Sequence, residues 1–287
     1  MYSDLSAWKH LASGKVRELY VPKGEHPLGD VVLVVATDRI SAFDHVLEPS
    51  IPGKGVVLTQ MSILWFEYLK EHLDIPHHFI TATSVPVEVA GRAIICKRLN
   101  MLPVECVARG YLTGSAYQEY ASTGKYQEFT FAPGMKDGQK LDHPIFTPAA
   151  KAEVGEHDEN ITFQKMSDTI GAEVATESRE KTLAVFEVAS TLSERAGMTL
   201  VDTKFEFGFD PQDNTITLGD EVLTPDSSRF WDENKQSVDK QFVRNYLLRE
   251  SGWDPKSNQT PPELPEEVVD KTVQLYKKVL KNLKGAL

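Results

Sequence analysis

From Leu200 to Phe209 polar and apolar residues alternate with the period of a strand that buries one face. Val201, Thr203, Phe205, Phe207 and Phe209 fall on one side, and Asp202, Lys204 and Glu206 on the other. The run Asp210-Pro211-Gln212-Asp213-Asn214 is turn chemistry, and Thr215 to Leu223 reads as the returning strand of a hairpin. Ahead of it, Ser13 to Tyr20 reads as a turn entering a strand, and Val31 to Ala36 as a buried strand. Leu58, Met61, Leu64, Trp65, Tyr68 and Leu69 recur at helical spacing and predict a helix over Val56 to Leu73. Phe79 to Thr83, Arg92 to Leu99 and Glu105 to Arg109 predict further strands. Gly114 to Ser122 is a short helix ending at Gly124, Tyr126 to Leu141 is loop-like, and Pro144 to Asn160 is irregular. Thr162 caps a long helical pattern that stops at Gly197. Asp239 to Glu250 and Glu266 to Leu283 are the last two helices. The fold class expected is α+β in two parts. Residues 1–100 form a strand-rich, mostly antiparallel domain and 101–287 a larger mixed one.

The polar face of the hairpin carries candidate chemistry. The return strand brings Asp220 and Glu221 towards Asp202 and Glu206, and carboxylates gathered like this repel unless a cation sits among them. Oxygen ligands on rigid strands suit Mg²⁺ together with substrate phosphates. Arg229, after the turn Thr224 to Ser228, offers a planar grip for a phosphate or carboxylate. Ser13-Gly14-Lys15-Val16-Arg17 places a glycine and two cations where a backbone can approach phosphate, although it is neither a Walker A loop nor a GxGxxG motif. Arg109 to Ser115 ends a strand and opens a helix, whose free N–H groups suit anions. Lys151, Glu153, His157, Asp158 and Glu159 crowd one irregular segment. Lys240 and Arg244, four apart, share a helix face, and Lys97 and Arg98 precede Met101 at a hinge-like position. Each feature alone also fits an ordinary solvated face, turn or cap, and only the constellation points to a metal–phosphate site.

Composition narrows the class. The chain has 287 residues, 41% hydrophobic and 25% charged, with a formal net charge of −11. That balance argues against nucleic acid or an anionic membrane as partner while leaving room for anionic small molecules held by a few focused cations. The 2 cysteines, Cys96 and Cys106, have no metal or redox spacing. The first residues show no signal-peptide pattern, and the longest purely apolar run, Val31 to Ala36, is far too short to span a bilayer, so a cytoplasmic location is expected.

Eight stretches resemble the SAICAR synthetase (phosphoribosylaminoimidazole-succinocarboxamide synthase) family: GKVRELY, ATDRISAFD, IPGKGVVLTQMS, ARGYLTGSAYQEY, PIFTPAAKAEVGEHDENI, DTKFEFG, GDEVLTPDSSRFW and DKQFVRNYL, in family order from Gly14 to Leu247. The segment ending in GEHDENI is similar to the longer, yeast-like branch. The resemblance implies a two-part fold, with 1–100 a nucleotide-binding domain resembling a kinase small lobe, 101–287 a domain with the metal and substrate sites, and the active site in the cleft between them. It implies an enzyme of purine biosynthesis, an ATP-dependent carbon–nitrogen ligase. ATP phosphorylates the carboxylate of carboxyaminoimidazole ribonucleotide (CAIR). The amine of L-aspartate then displaces phosphate, giving SAICAR and ADP. ATP is thus a cosubstrate and Mg²⁺ the implied cofactor.

Residue by residue, the resemblance puts Gly14, Lys15, Val16 and Arg17 at the ATP phosphates and Lys97 and Met101 near the adenine. It puts Glu206 and Asp220 on Mg²⁺, and Arg109, Ser115 and Arg229 on the ribonucleotide phosphate. Asp202, Lys204 and Lys240 are the catalytic candidates. Lys151, His157 and Asp158 belong near the imidazole or the aspartate, and Arg39, Ser41 and Asp44 face the same cleft. One departure is Ala149-Ala150 before Lys151, where related sequences often carry hydroxyl residues. A small-molecule kinase using the same Mg-ATP site and a non-catalytic nucleotide-binding regulator are the competing readings. A monomer is expected, with a dimer as the alternative.

Overall fold

Val31–Ala36, rich in β-branched valine, is the middle strand of a five-stranded antiparallel sheet. The spatial order is Trp8–Ser13, Arg17–Pro22, Val31–Ala36, Ala93–Lys97 and Phe79–Thr81. The computed structural model describes residues 3–151, 159–257 and 259–287. The expected His157 and Asp158 therefore lie outside the described residues, as does Glu153. The edge strand Trp8–Ser13 was not expected. Only Trp8 of it is buried, so it lacks the alternation that signals a strand.

The second sheet, of eight strands, is built on two long neighbours, Val104–Leu112 and Met198–Phe209, which set Asp202 opposite Arg109 and Phe205 opposite Cys106. Ser228–Asp232 pairs with the first half of Met198–Phe209 and Ile216–Gly219 with its second half. The expected hairpin forms, but its return strand stops at Gly219 rather than Leu223. Asp220 and Leu223 both take left-handed φ values of 56°, which ends the ladder. Aspartate tolerates that conformation better than most residues. The bend is also held from the other sheet, because His78 Nε2–H donates to the Asp220 carbonyl at 3.1 Å. The segment Pro76–His78 docks on the same strand through Leu218 N–H to Pro76 O and His78 N–H to Leu218 O, each 2.9 Å. The alternation is kept: Val201, Phe205 and Phe207 are fully buried while Lys204 and Glu206 stay half-buried on the opposite face.

Other boundaries moved for tertiary reasons. Tyr126 to Leu141 is not one loop. It holds a short hairpin (Lys125–Tyr126 with Phe129–Thr130) and the start of the strand Gln139–Phe146, which pairs irregularly with Val104–Leu112. The long helical pattern breaks at Gly171 (φ 90°) into Phe163–Ile170 and Ala172–Arg195. Thr162 caps the first, accepting from Lys165 N–H at 3.2 Å. Ala172–Arg195 buries Ala175, Ser178, Thr182, Val185, Phe186, Ala189 and Leu192, a stripe at helical spacing that covers the apolar side of the second sheet. The expected helix over 239–250 is a short α-helix, Gln241–Asn245, continued by a wider π-type turn, Tyr246–Glu250.

The helix Lys54–His72 packs on Val31–Ala36 and on the C-terminal helix Glu266–Ala286. Its N-terminus is capped at a distance, since both Asp38 carboxylate oxygens accept, from Gly53 and Gly55 N–H at 2.9 Å each. Gly55 is required there: a Cβ would stand 2.8 Å from the Ala36 carbonyl. Trp65, Phe66, Phe205, Phe207 and Tyr276 share one continuous core, so both sheets close over the same apolar centre.

Candidate active site

A cleft of about 550 Å³ opens between the glycine turn at Gly14 and the polar face of Met198–Phe209. Fifteen of the residues singled out in the sequence line it: Gly14, Lys15, Val16, Arg17, Ser41, Asp44, Arg109, Asp202, Lys204, Glu206, Asp220, Glu221, Arg229, Lys240 and Arg244. They arrive from stretches far apart in the chain, which is the main thing folding adds.

At one end sit the carboxylates. Asp220 Oδ1 lies 2.5 Å from Arg17 Nη1, and Arg17 Nη2 donates to Glu221 at 3.2 Å. The Asp220 carboxyl is pushed up to about 7, first by burial, with Glu206 and Glu221 adding repulsion that Arg17 and Lys204 only partly offset. Burial also opposes the charge on Glu206, but its ion pair with Lys151, helped by Lys204 and Arg17, holds the carboxyl below the usual range. Lys204 is paired with Glu105, on the neighbouring strand. Burial works against its charge, and Glu105, Glu206 and Asp220 outweigh burial and raise its pKa.

At the other end Asp202, 7% exposed, accepts from Arg109 Nη1 at 2.9 Å and from Arg229 Nη1 at 2.6 Å. Asp202 thus holds two arginines side by side. Arg109 is fixed further by Thr147 Oγ1 at 3.0 Å and Tyr126 OH at 3.3 Å. Arg229 lies against Gly114, where a Cβ would come within 2.6 Å of its Nη2. It also borders a second hollow of about 430 Å³ shared with Thr113, Tyr117 and Trp231.

The floor is a buried cationic group. Lys54 Nζ and Asp226 Oδ2 are 2.7 Å apart, with side chains 0% and 1% exposed, and Tyr276 OH donates to Asp226 Oδ1 at 2.6 Å. Burial pushes the Lys240 ammonium down to about 8, with Asp226 opposing the shift and Arg244 and Lys54 reinforcing it. The sign follows. The folded value lies below the ordinary 10.5, so stability rises as pH climbs from about 8 to 10.5, and below 8 the native state bears the full cost of the charge. Lys240→Met is expected to stabilise the fold at pH 7 by roughly 1–3 kcal/mol, with the gain vanishing above pH 10.5. Denaturant unfolding of both proteins at pH 7 and pH 10.5 checks this, and an equal or lower stability of the variant at pH 7 contradicts it.

The remaining expected residues lie elsewhere. Lys97 donates to Asp210 at 2.8 Å beside a separate hollow. Met101 is exposed and covers Gly219, with Cε 3.3 Å from where a Cβ would be. Neither lines the main cleft. Ser115 is the exposed first residue of the helix Ser115–Thr123, next to Gly114 rather than on the cleft wall. Lys151 reaches Glu206 from the side. Arg39 does not face the cleft. Its guanidinium turns back onto the glycine turn, because carbonyls there outcompete solvent for its donors. Glu105, Asp226 and the roles of Lys54 and Tyr276 were missed. An acid or lysine inside an apolar strand or helix start was the available signal, but its partner is a long way off in the chain.

The donor set suits a hard divalent cation. Glu206 presents its carboxylate from a strand and Asp220 from the bend just past the end of the neighbouring strand, where Arg17 and Lys204 do not fully offset burial and the nearby acids. No group of three carboxylate, imidazole or thiol side chains among the described residues forms a protein-only metal cage. Mg²⁺ characteristically takes one or two carboxylates plus substrate phosphates, so two protein ligands beside a cationic turn fit it.

Comparison with known proteins agrees with this architecture. The family model for SAICAR synthetase matches residues 10–260. The chain is 49% identical to the phosphoribosylaminoimidazole-succinocarboxamide synthase of Streptomyces coelicolor, over 96% of this chain and 93% of that one. It is 45% identical to the synthase of Leifsonia xyli subsp. xyli, over 99% and 100%. Among solved structures, SAICAR-synthase from Saccharomyces cerevisiae complexed with SAICAR superposes with a TM-score of 0.82 at 34% identity, covering 97% of this chain and 95% of that one. With the cleft, the order of its motifs and the full-length likeness in accord, the chain belongs to the SAICAR synthetase family.

Proposed function

We propose that this cleft joins L-aspartate to the carboxylate of CAIR at the expense of ATP, through an acyl phosphate. The observation that carries the reading is a single cavity with a cationic glycine turn beside Glu206 and Asp220 at one end and the Arg109–Asp202–Arg229 group at the other. A carboxylate is a poor acyl donor. Transfer of the γ-phosphoryl group to one of its oxygens supplies a leaving group, and the aspartate amine then forms the amide bond as phosphate departs and the amine loses its proton. Both steps depend on positioning and charge neutralisation more than on covalent help from the protein.

In this reading the turn Gly14–Arg17 receives the ATP phosphates, and Lys97 and Met101 border the adenine. Burial opposes the charge on Arg17, but Asp220, Glu221 and Glu206 outweigh it, so Arg17 stays protonated beside the anion. Glu206 and Asp220 would hold Mg²⁺. When bound, the ion draws off charge from the phosphate oxygens. Arg109 and Arg229, both held by Asp202, grip the ribonucleotide phosphate with Ser115 nearby. Lys204 and Lys240 supply positive charge along the path between the two ends. Lys151, with His157 and Asp158, serves the imidazole or the aspartate. The division near residue 100 separates the nucleotide side from the substrate side. A monomer acting in the cytoplasm completes the reading. Its support on the second point is that no described helix is long and apolar enough to cross a membrane.

ADP release from the purified protein with Mg-ATP and CAIR, with and without L-aspartate, tests the reaction. Sustained release only with aspartate is expected, and equal release without it overturns the ligase reading in favour of a kinase. Arg229→Lys is expected to raise the KM for CAIR about 10-fold or more, because the ammonium cannot hold Asp202 and a phosphate with one planar fork. An unchanged KM for CAIR would remove Arg229 from the phosphate site.

A further inference from the structure

The carbonyl oxygens of Gly14, Lys15, Val16 and Arg17 are all claimed from behind the turn. Arg39 Nε donates to Lys15 O at 3.0 Å, and Arg39 Nη2 donates to Gly14 O at 3.0 Å and Arg17 O at 3.4 Å. Thr37 takes the remaining one, with its N–H 3.0 Å and its Oγ1 2.8 Å from Val16 O. Thr37 Oγ1 in turn accepts from Arg39 N–H at 3.3 Å, so the two clamps are one unit. Arg39 Nη1 is fixed by Glu18 Oε1 at 2.8 Å. Glu18 is held by Ser13 Oγ at 2.5 Å and His10 Nε2 at 2.9 Å. Burial would raise the Glu18 carboxyl, yet these hydrogen bonds and Arg39 keep it down at about 2, so it is a permanent anion behind the guanidinium.

The front of the turn is different. Gly14 N–H closes the turn on Arg17 O at 2.8 Å. The N–H groups of Lys15 and Val16 have no acceptor among the described residues, and both residues line the cleft. A turn whose carbonyls are drawn back and whose N–H groups are left open is an anion-binding concavity.

We propose that Arg39, with Thr37, is a positioning residue for the ATP-phosphate site, acting through the turn Gly14–Arg17 without touching substrate. The guanidinium spends its fork on three carbonyls and a carboxylate, so its charge does not reach a ligand. What it supplies is orientation. Without it the turn is free to rotate a carbonyl into the cleft, where it repels phosphate. The inference rests on the reading of this turn as the ATP-phosphate site.

The test is the full-length Arg39→Lys protein, which keeps the charge and the pairing with Glu18 but cannot bridge three carbonyls. Calorimetric binding of Mg-ADP is expected to weaken about tenfold. The KM for ATP is expected to rise by a similar factor, with the KM values for CAIR and L-aspartate staying within about twofold. Thr37→Val, which removes the hydroxyl's bonds to Val16 O and from Arg39 N–H but keeps the Thr37 N–H bond to Val16 O, is expected to move nucleotide affinity the same way by a smaller factor and serves if Arg39→Lys does not fold. A rise confined to the KM for CAIR or aspartate overturns the proposal and makes Arg39 a substrate ligand. A fall in melting temperature with all three KM values and Mg-ADP affinity unchanged overturns it as well, leaving a purely structural brace. If the parent protein itself binds no Mg-ADP, the reading of the turn fails first. If the parent binds and both variants bind equally, only the role of Arg39 and Thr37 falls.

Discussion

Glu206→Gln is expected to lower kcat by at least about 100-fold while leaving the fold intact. The substitution keeps the shape of the side chain and removes one charge. In the folded protein that charge faces Lys151, with Lys204 and Arg17 also bearing on it. Lys204 and Arg17 keep other carboxylate neighbours, Glu105 for Lys204 and Asp220 with Glu221 for Arg17, and Lys151 is partly exposed to solvent. The loss in stability is therefore expected to stay near 1–2 kcal/mol. The cost in turnover is larger because Glu206 is one of only two carboxylates proposed to hold Mg²⁺, and the surrounding lysines cannot replace an anion. Raising Mg²⁺ should restore part of the rate. Melting curves and kcat measured across a Mg²⁺ series decide the point. Near-normal turnover combined with a large drop in melting temperature would show that Glu206 is a structural partner of Lys151 and nothing more.

The largest stability effect is expected at Asp226. Its carboxylate is held well below the usual range despite burial, by Lys54 first and by Lys240 and the Tyr276 hydroxyl after it. Lys54 is 0% exposed at its side chain, and no other acceptor reaches its Nζ among the described residues. Asp226→Ala leaves that ammonium buried without a counter-ion, at a cost of roughly 3–5 kcal/mol. For a chain of this size that corresponds to a fall in melting temperature of roughly 10 °C. The double replacement of Lys54 by Met and Asp226 by Leu removes both charges together and should recover most of the lost stability, since a buried ion pair is worth little against apolar isosteres. It should not recover activity, because Asp226 lines the cleft. A double variant no more stable than Asp226→Ala would show that the pair contributes through geometry that apolar packing cannot replace.

Much of the site was legible before folding. The alternation around Asp202, Lys204 and Glu206 placed all three on one face, and the turn after Phe209 brought Asp220 towards them. The glycine turn at Gly14 was recognisable from its two cations. Arg109 and Arg229 stood out as cations at strand ends. What could not be read was partnership. Asp202 looked like a reacting group, and it sits between two arginines that approach from strands on either side of it. Arg39 looked like a substrate ligand, and it grips the back of a turn that is remote in sequence. Lys54 and Asp226 were an unremarkable lysine and turn aspartate, and they form the most deeply buried charge pair among the described residues.

By itself the sequence determined which residues alternate, where turns must fall and which side chains carry charge, because these depend on local periodicity and backbone preference. Through its ordered motifs it also determined the family. Only the tertiary structure decided where strands end, as at Gly219, and which charges neutralise one another. Those outcomes depend on contacts between segments far apart in the chain: His78 holding the Asp220 bend, Asp38 capping a helix that starts at Lys54, and Tyr276 on the last helix reaching Asp226. Burial then sets their electrostatics, since it magnifies every pairing and penalises every charge left alone.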